Sequence, residues 1–197
     1  MDSIIPVFPT AYFPSIAYCR QFFCFSTQEI EGWEHFVKQS IRTRCEILTA
    51  NGILTLNVPI VHEYKRKPIH ELRIAYDKKW ILEHWRAIES AYAAAPYFDD
   101  YSREIKAILF EKHETLWQLN HSFLVLLHDI LDKPIQFKST ENFQSSPQKD
   151  FRNFDFLKRE ETPFYQQVFG YNQDFIPNLS ILDAIMNEGP FARNFIF

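Results

Sequence analysis

Cys45-Glu46-Ile47-Leu48-Thr49-Ala50-Asn51-Gly52-Ile53-Leu54-Thr55-Leu56-Asn57-Val58 is the stretch that decides the fold. Aliphatic and β-branched residues flank Asn51-Gly52 on both sides, which reads as two antiparallel strands. Asn-Gly suits a type I′ turn because both central residues need φ > 0. Pro59 has no N–H to donate and ends the second strand.

Upstream, residues 3–8 read as a strand. Pro9-Thr10-Ala11-Tyr12-Phe13-Pro14 reads as a loop, since its prolines fix φ and remove donors. Ser15 can cap a helix over residues 15–23, and residues 24–31 return as a strand. This β–loop–α–β order favours a parallel crossover.

Downstream, a basic loop, Lys65-Arg66-Lys67, precedes a short strand over residues 69–75. Ile81, Trp85, Ile88, Tyr92 and Ala95 then share one helical face, with Asp77 as N-cap and Pro96 as the stop. Further helices start near Asp100 and span residues 114–131. Lys133-Pro134 ends the last of these, and residues 135–139 read as a strand. Residues 140–155 are polar and unpatterned, as in a mobile loop or lid, although Phe143, Phe151, Phe154 and Phe156 are unusual in a linker. Ser180 and Asp183 fit a capping box, and Gly189-Pro190 a helix stop. The expected architecture is one α/β domain over residues 1–197, with a mixed β-sheet carrying the Asn-Gly hairpin and a group of helices covering it.

Composition narrows the function. The 197 residues hold 20 Phe, 9 Tyr and 4 Trp but only 4 Gly, and neither GxGxxG nor GxxxxGK[ST] occurs, so the usual nucleotide loops are excluded. Lys and Arg number 21 against 25 Asp and Glu, a net charge of −4, which argues against a duplex nucleic-acid partner. Three cysteines without a CxxC suit a reducing compartment. No signal peptide is read at the N-terminus, and no apolar run approaches the ~20 residues of a membrane span. A cytoplasmic location is the expectation.

The strongest candidate site is Lys38-Gln39-Ser40-Ile41-Arg42-Thr43-Arg44. In an extended segment Arg42 and Arg44 project to one side, and two guanidinium forks suit a phosphate or carboxylate. The alternative is a basic strand end paired with Glu29, Glu31 or Glu34. Tyr12 and Tyr18 flank a rigid turn at the carboxyl end of the first strand, where α/β sheets bind ligands. His121 and His128 stand two helical turns apart, too far for one metal, and no HExxH is present. No metal and no cofactor are expected. His84, crowded by Glu83, Trp85 and Arg86, is a catalytic candidate. Helix capping explains most of residues 178–190, but leaves Asn178 and Glu188 unaccounted for.

Together these segments resemble the WbqC-like proteins, in the forms found in Bacteroides-type bacteria. The resemblance rests on Thr10-Ala11-Tyr12-Phe13-Pro14-Ser15-Ile16-Ala17-Tyr18, the Lys38–Cys45 run, Asn51-Gly52 and Leu56-Asn57-Val58-Pro59-Ile60. It extends to Trp80, His84-Trp85-Arg86, Ala91-Tyr92, Pro96-Tyr97-Phe98, Asn178-Leu179-Ser180-Ile181-Leu182-Asp183 and Asn187-Glu188-Gly189. Many relatives carry His-Gln-Pro before the Tyr-x-Pro turn; here Phe8-Pro9-Thr10 stands there.

The resemblance implies a bacterial protein linked to surface-polysaccharide or O-antigen biosynthesis. The expected activity is that of a transferase or modifying enzyme on an anionic or nucleotide-linked sugar. The rival reading is a non-catalytic binding or scaffolding protein for a polysaccharide enzyme. The expected site joins Tyr12, Tyr18, Lys38, Gln39, Arg42, Arg44, Asn178 and Ser180 around a small anionic substrate, with His84 or Glu188 as catalytic group. Tyr12 and Arg42 are expected to line one cleft.

Overall fold

The computed structural model describes residues 4–61, 67–77, 79–133, 136–170 and 174–197. Strand β1 (Pro6–Pro9) is central in a four-stranded sheet, pairing in parallel with β2 (Thr27–Glu31) on one side and β6 (Lys149–Asp150) on the other. Strand β5 (Gln136–Ser139) joins β2, also in parallel, giving the order β5-β2-β1-β6. Pro6 and Pro9 occupy the two ends of β1, where a missing N–H interrupts the ladder least. Between β1 and β2 runs α1 (Ile16–Phe22), whose N-cap Ser15 accepts from the Tyr18 N–H, so the chain opens β–α–β as expected.

The sequence led us to expect a single mixed sheet. Instead the parallel and antiparallel pairings lie in two separate sheets. The second consists of β3 (Arg44–Thr49) and β4 (Gly52–Asn57), antiparallel with Thr49 opposite Gly52. Ala50 and Asn51 therefore form the connection. Asn51 keeps a negative φ, and Gly52 alone takes the left-handed region at φ 99°. The expected type I′ turn is replaced because the Thr49 hydroxyl accepts from the Asn51 N–H and donates to the Gly52 carbonyl, a local alternative to the primed turn.

Helix α2 (Trp80–Tyr92) packs on β3, then α3 (Phe98–Phe110) and α4 (Leu116–Leu131) follow it. Lys79 is the N-cap of α2, not Asp77. Thr115 and Gln118 form a capping box at α4, which the sequence reading missed. Residues 69–75 are not a strand. A single 3-10 turn, Ile69–Glu71, leads to isolated bridges from Ile74 to Ile60 and from Arg73 to Thr115. Ser3, Lys65, Arg66, Pro134 and Ile135 of the sequence expectations lie outside the described residues.

At the C-terminal end, α5 (Ile181–Glu188) packs on β3 and α1, and α6 (Arg193–Ile196) also reaches α1. Ser180 caps α5 through the Leu182 N–H rather than that of Asp183. The Asp183 carboxylate turns inward instead, accepting from Tyr165 and Gln167.

Aromatic residues fill the centre. Phe8 stacks on Phe151 at 4.4 Å and meets Phe22 edge-on at 5.0 Å, with Phe156 against the same cluster. Such pairs add about 0.5–1.5 kcal/mol each beyond their burial. Phe151, within the segment read as a lid, and Phe156, just after it, are thus core residues, while Phe143 is 53 % exposed. Among the described residues no helix is long and apolar enough to cross a membrane.

Candidate functional site

The three segments expected to converge do meet, but through buried backbone rather than around a cleft. Tyr12 N–H donates to the Ile41 carbonyl, Ile16 N–H to Leu179, and Ile181 N–H to Pro14. Asn178, held at φ 53°, accepts from the Ala17 N–H through Oδ1 and donates through Nδ2 to Phe156 and Lys158. Ser180 donates to the Phe13 carbonyl. Asn178 and Ser180 are 2 % exposed each, so these polar side chains stitch the loop before α1 to the start of α5.

Tyr12 is wholly buried, and its hydroxyl lies 2.8 Å from Nδ1 of His84. The His84 ring also hydrogen-bonds the backbone of Asn57, and burial lowers its pKa to about 4. Tyr18 is likewise buried and donates to the Pro9 carbonyl at 2.9 Å.

Arg42 departs most from expectation. Residues 41–43 form a turn, so the alternation that would place Arg42 beside Arg44 does not apply. Arg42 turns inward, 2 % exposed, and grips Glu34 with two hydrogen bonds of 2.7 and 2.5 Å. The ion-pair alternative raised by the sequence is the one found for Arg42. Burial nevertheless pushes the Glu34 carboxyl above its ordinary range, with Arg42 opposing. Tyr12 and Arg42 line no common cleft.

Lys38, Gln39 and Arg44 behave differently. They stand at the surface along a depression of about 250 Å³, with Phe36, Thr43 and Asn57–Ile60 as its other walls. Gln39 takes φ 57° in the turn that presents Lys38. Arg44 is held at Nε by Asn57 Oδ1 at 3.2 Å, and its remaining N–H groups meet no other acceptor among the described residues. Asn57, Pro59 and Ile60 also wall an adjoining depression of about 620 Å³ that ends at Ile74, Tyr76 and Asp77. Asn57, Pro59 and Ile60 thus border two neighbouring depressions, one carrying Lys38, Gln39 and Arg44 and the other Tyr76 and Asp77. His84 sits behind their shared wall at Asn57.

The sequence singled out Lys38, Gln39 and Arg44, whereas Tyr76 and Asp77, which wall the second depression, were not among its site candidates. Pro59, which halts β4 and swings the chain across the groove, was the available signal. Glu188 closes α5, half-buried, and lines neither depression. Among the described residues no cluster of three or more His, Cys, Asp or Glu could hold a metal ion.

The sequence profile of the WbqC-like protein family matches residues 10–161 and 147–195. Uncharacterized protein Rv1507c of Mycobacterium tuberculosis is 26 % identical over 220 aligned positions, covering 94 % of this chain and 91 % of that protein. No solved structure matches.

Proposed function

The chain belongs to the WbqC-like protein family, and from that premise we propose that it binds the anionic portion of a phosphorylated or nucleotide-linked sugar and transfers or modifies a group on it in surface-polysaccharide biosynthesis. The observation that carries this reading is the surface groove bearing Lys38, Gln39 and Arg44, with a second depression holding Tyr76 on the neighbouring side of Asn57, Pro59 and Ile60. Arg44 offers its outer N–H groups as a fork to two anionic oxygens, and Lys38 adds a second positive charge. Tyr76, 37 % exposed and anchored by its hydroxyl to the His113 carbonyl, offers a flat face for a ring. A groove of this size suits a ligand of nucleotide-sugar dimensions.

A second reading has its own support. His84, kept neutral by its burial, is 5 % exposed and lines neither depression. That favours a binding protein that presents the sugar to a partner enzyme.

A thermal-shift and calorimetry screen against nucleotide sugars, sugar phosphates and free nucleotides tests both. At 100-fold over Kd, binding stabilises the fold by about 2.7 kcal/mol. Stabilisation that disappears in Arg44→Ala sustains the groove; no stabilisation by any anionic sugar overturns it. Turnover of the bound sugar separates the enzyme from the binding protein.

A further inference from the structure

Away from the groove, a narrow crevice opens between the end of β1 and helix α4, lined by Thr10, Tyr18, Ile30, Trp117, Asn120 and His121. It lies outside the carboxyl end of the parallel sheet, where α/β folds place ligands. Its cavity volume is about 10 Å³, room for one water-sized group.

Asn120 supplies the key observation. The side chain is 2 % exposed, and its Nδ2 is fully used, donating to Thr10 Oγ1 at 3.1 Å and to the Arg42 carbonyl at 2.9 Å. Those two bonds fix the amide orientation. Oδ1 is then left buried without a partner. An unmet buried acceptor is rare in folded proteins and calls for a donor. Thr10, 4 % exposed, accepts from Asn120, and its own hydroxyl hydrogen meets no acceptor among the described residues. Two wall residues of the crevice therefore hold, deep in its lining, an acceptor and a hydroxyl donor with no partner among the described residues.

We propose that this crevice is a subsite for one neutral hydroxyl of a sugar or polyol, which donates to Asn120 Oδ1 and accepts from Thr10 Oγ1. The chemistry excludes the charged alternatives. No carboxylate lines the crevice, so a buried ammonium would be uncompensated, and no Lys or Arg lines it to balance an anion. A hydroxyl both donates and accepts, matching the unpaired groups, and is the size of the cavity. The remainder of the ligand lies outside, against the half-buried Trp117 ring and the exposed His121 at the mouth. His121 is held below its ordinary pKa by partial burial, so it adds no charge near neutral pH. This site stands independently of the anionic groove.

Saturation-transfer NMR on the full chain with a panel of neutral monosaccharides at millimolar concentration tests the proposal. At least one sugar is expected to receive saturation. Thr10→Val should weaken it by about tenfold or more, Thr10→Ser by no more than about threefold, and Arg44→Ala not at all. Absence of saturation for every sugar on the wild-type protein overturns the proposal, as does undiminished binding by Thr10→Val. Should Thr10→Val fail to fold, a wild-type crystal soaked with the bound sugar decides. A sugar hydroxyl on Asn120 Oδ1 sustains the subsite; a water there, with the sugar elsewhere, overturns it.

Discussion

Arg42 and Glu34 form a two-pronged ion pair inside the protein, Nε to Oε1 at 2.7 Å and Nη2 to Oε2 at 2.5 Å, with side chains 3 % and 8 % exposed. The same guanidinium donates to the Arg152 carbonyl at 3.1 Å. Arg152 in turn pairs with the buried Glu31 and with Asp150, so the ends of β2 and β6 are tied through one charged network. Removing one partner of such a pair strands the other. Arg42→Ala is expected to cost about 3–5 kcal/mol of folding stability, and Arg42→Lys to recover little of it, since an ammonium cannot make the fork. Chemical denaturation of the two variants beside the wild type checks this. A loss under about 1 kcal/mol for Arg42→Ala would show that the pair contributes no net stability.

Arg44→Ala should do the reverse. Its bond to Asn57 is at the surface, and it makes no other among the described residues, so the melting temperature is expected to stay close to that of the wild type. Affinity for an anionic sugar should drop by about 10- to 150-fold, the loss of a charge-assisted contact of roughly 1.5–3 kcal/mol. Isothermal titration of Arg44→Ala and Lys38→Ala with the best ligand of the screen provides the measurement. An unchanged affinity in both variants would remove the groove as the anion site.

Titration of His84 should be visible in stability. Its folded pKa is about 4, below the ordinary 6.5, because burial disfavours the charged ring. Between these values the unfolded chain takes up a proton that the native ring refuses. Stability is therefore unaffected above pH ~6.5 and is lost progressively as pH falls towards 4, by about 3 kcal/mol in full. Glu34 and Asp183, whose carboxyls burial raises, act in the opposite direction near and above their ordinary range, so the wild-type curve alone is ambiguous. Comparison with His84→Phe isolates the effect. The wild type is expected to lose about 2–3 kcal/mol more than the variant between pH ~7 and ~4.5 in urea titrations.

Two glycines with positive φ separate conformational strain from steric exclusion. At Gly52, φ 99°, an added Cβ meets open space, so Gly52→Ala should cost about 1–2 kcal/mol from the backbone alone. At Gly189, φ 58°, an added Cβ would run into the ring of Tyr97, whose own N–H is committed to the Met186 carbonyl. Gly189→Ala is expected to cost roughly 3 kcal/mol or more, since overpacking adds to strain. Equal melting temperatures for the two variants would contradict the clash.

What was legible in the sequence was whatever depends on near neighbours along the chain. The two strands around residues 50–52, the Ser15 cap, the periodic faces of α2 and α4 and the stop at Gly189 all follow from side-chain spacing and local hydrogen bonding. So did the WbqC-like resemblance, carried by residues in order along one chain. Even locally, competition mattered: the Thr49 hydroxyl captured the turn that Asn-Gly was expected to form, and Asp183 left its cap for Tyr165.

Burial, by contrast, was decided in three dimensions. Arg42 and Arg44 are two residues apart and chemically identical, yet one is buried on Glu34 and the other faces the groove, because residues 41–43 turn instead of running extended. Nothing local distinguishes them; the difference arises when α4 brings Asn120 to the Arg42 carbonyl and β6 brings Arg152 alongside. Likewise the polar residues 140–150 resemble a free loop until Gln144 and Arg152 reach the Glu31 carboxylate, and the orphaned oxygen of Asn120 exists only after Thr10, 110 positions away, takes its amide. The physical reason is desolvation. Whether a polar group is a ligand site or a structural bond depends on which partner reaches it once water has been excluded; for Arg42 that is Glu34, eight residues back, and for Asn120 and Glu31 it is more than 100 positions away.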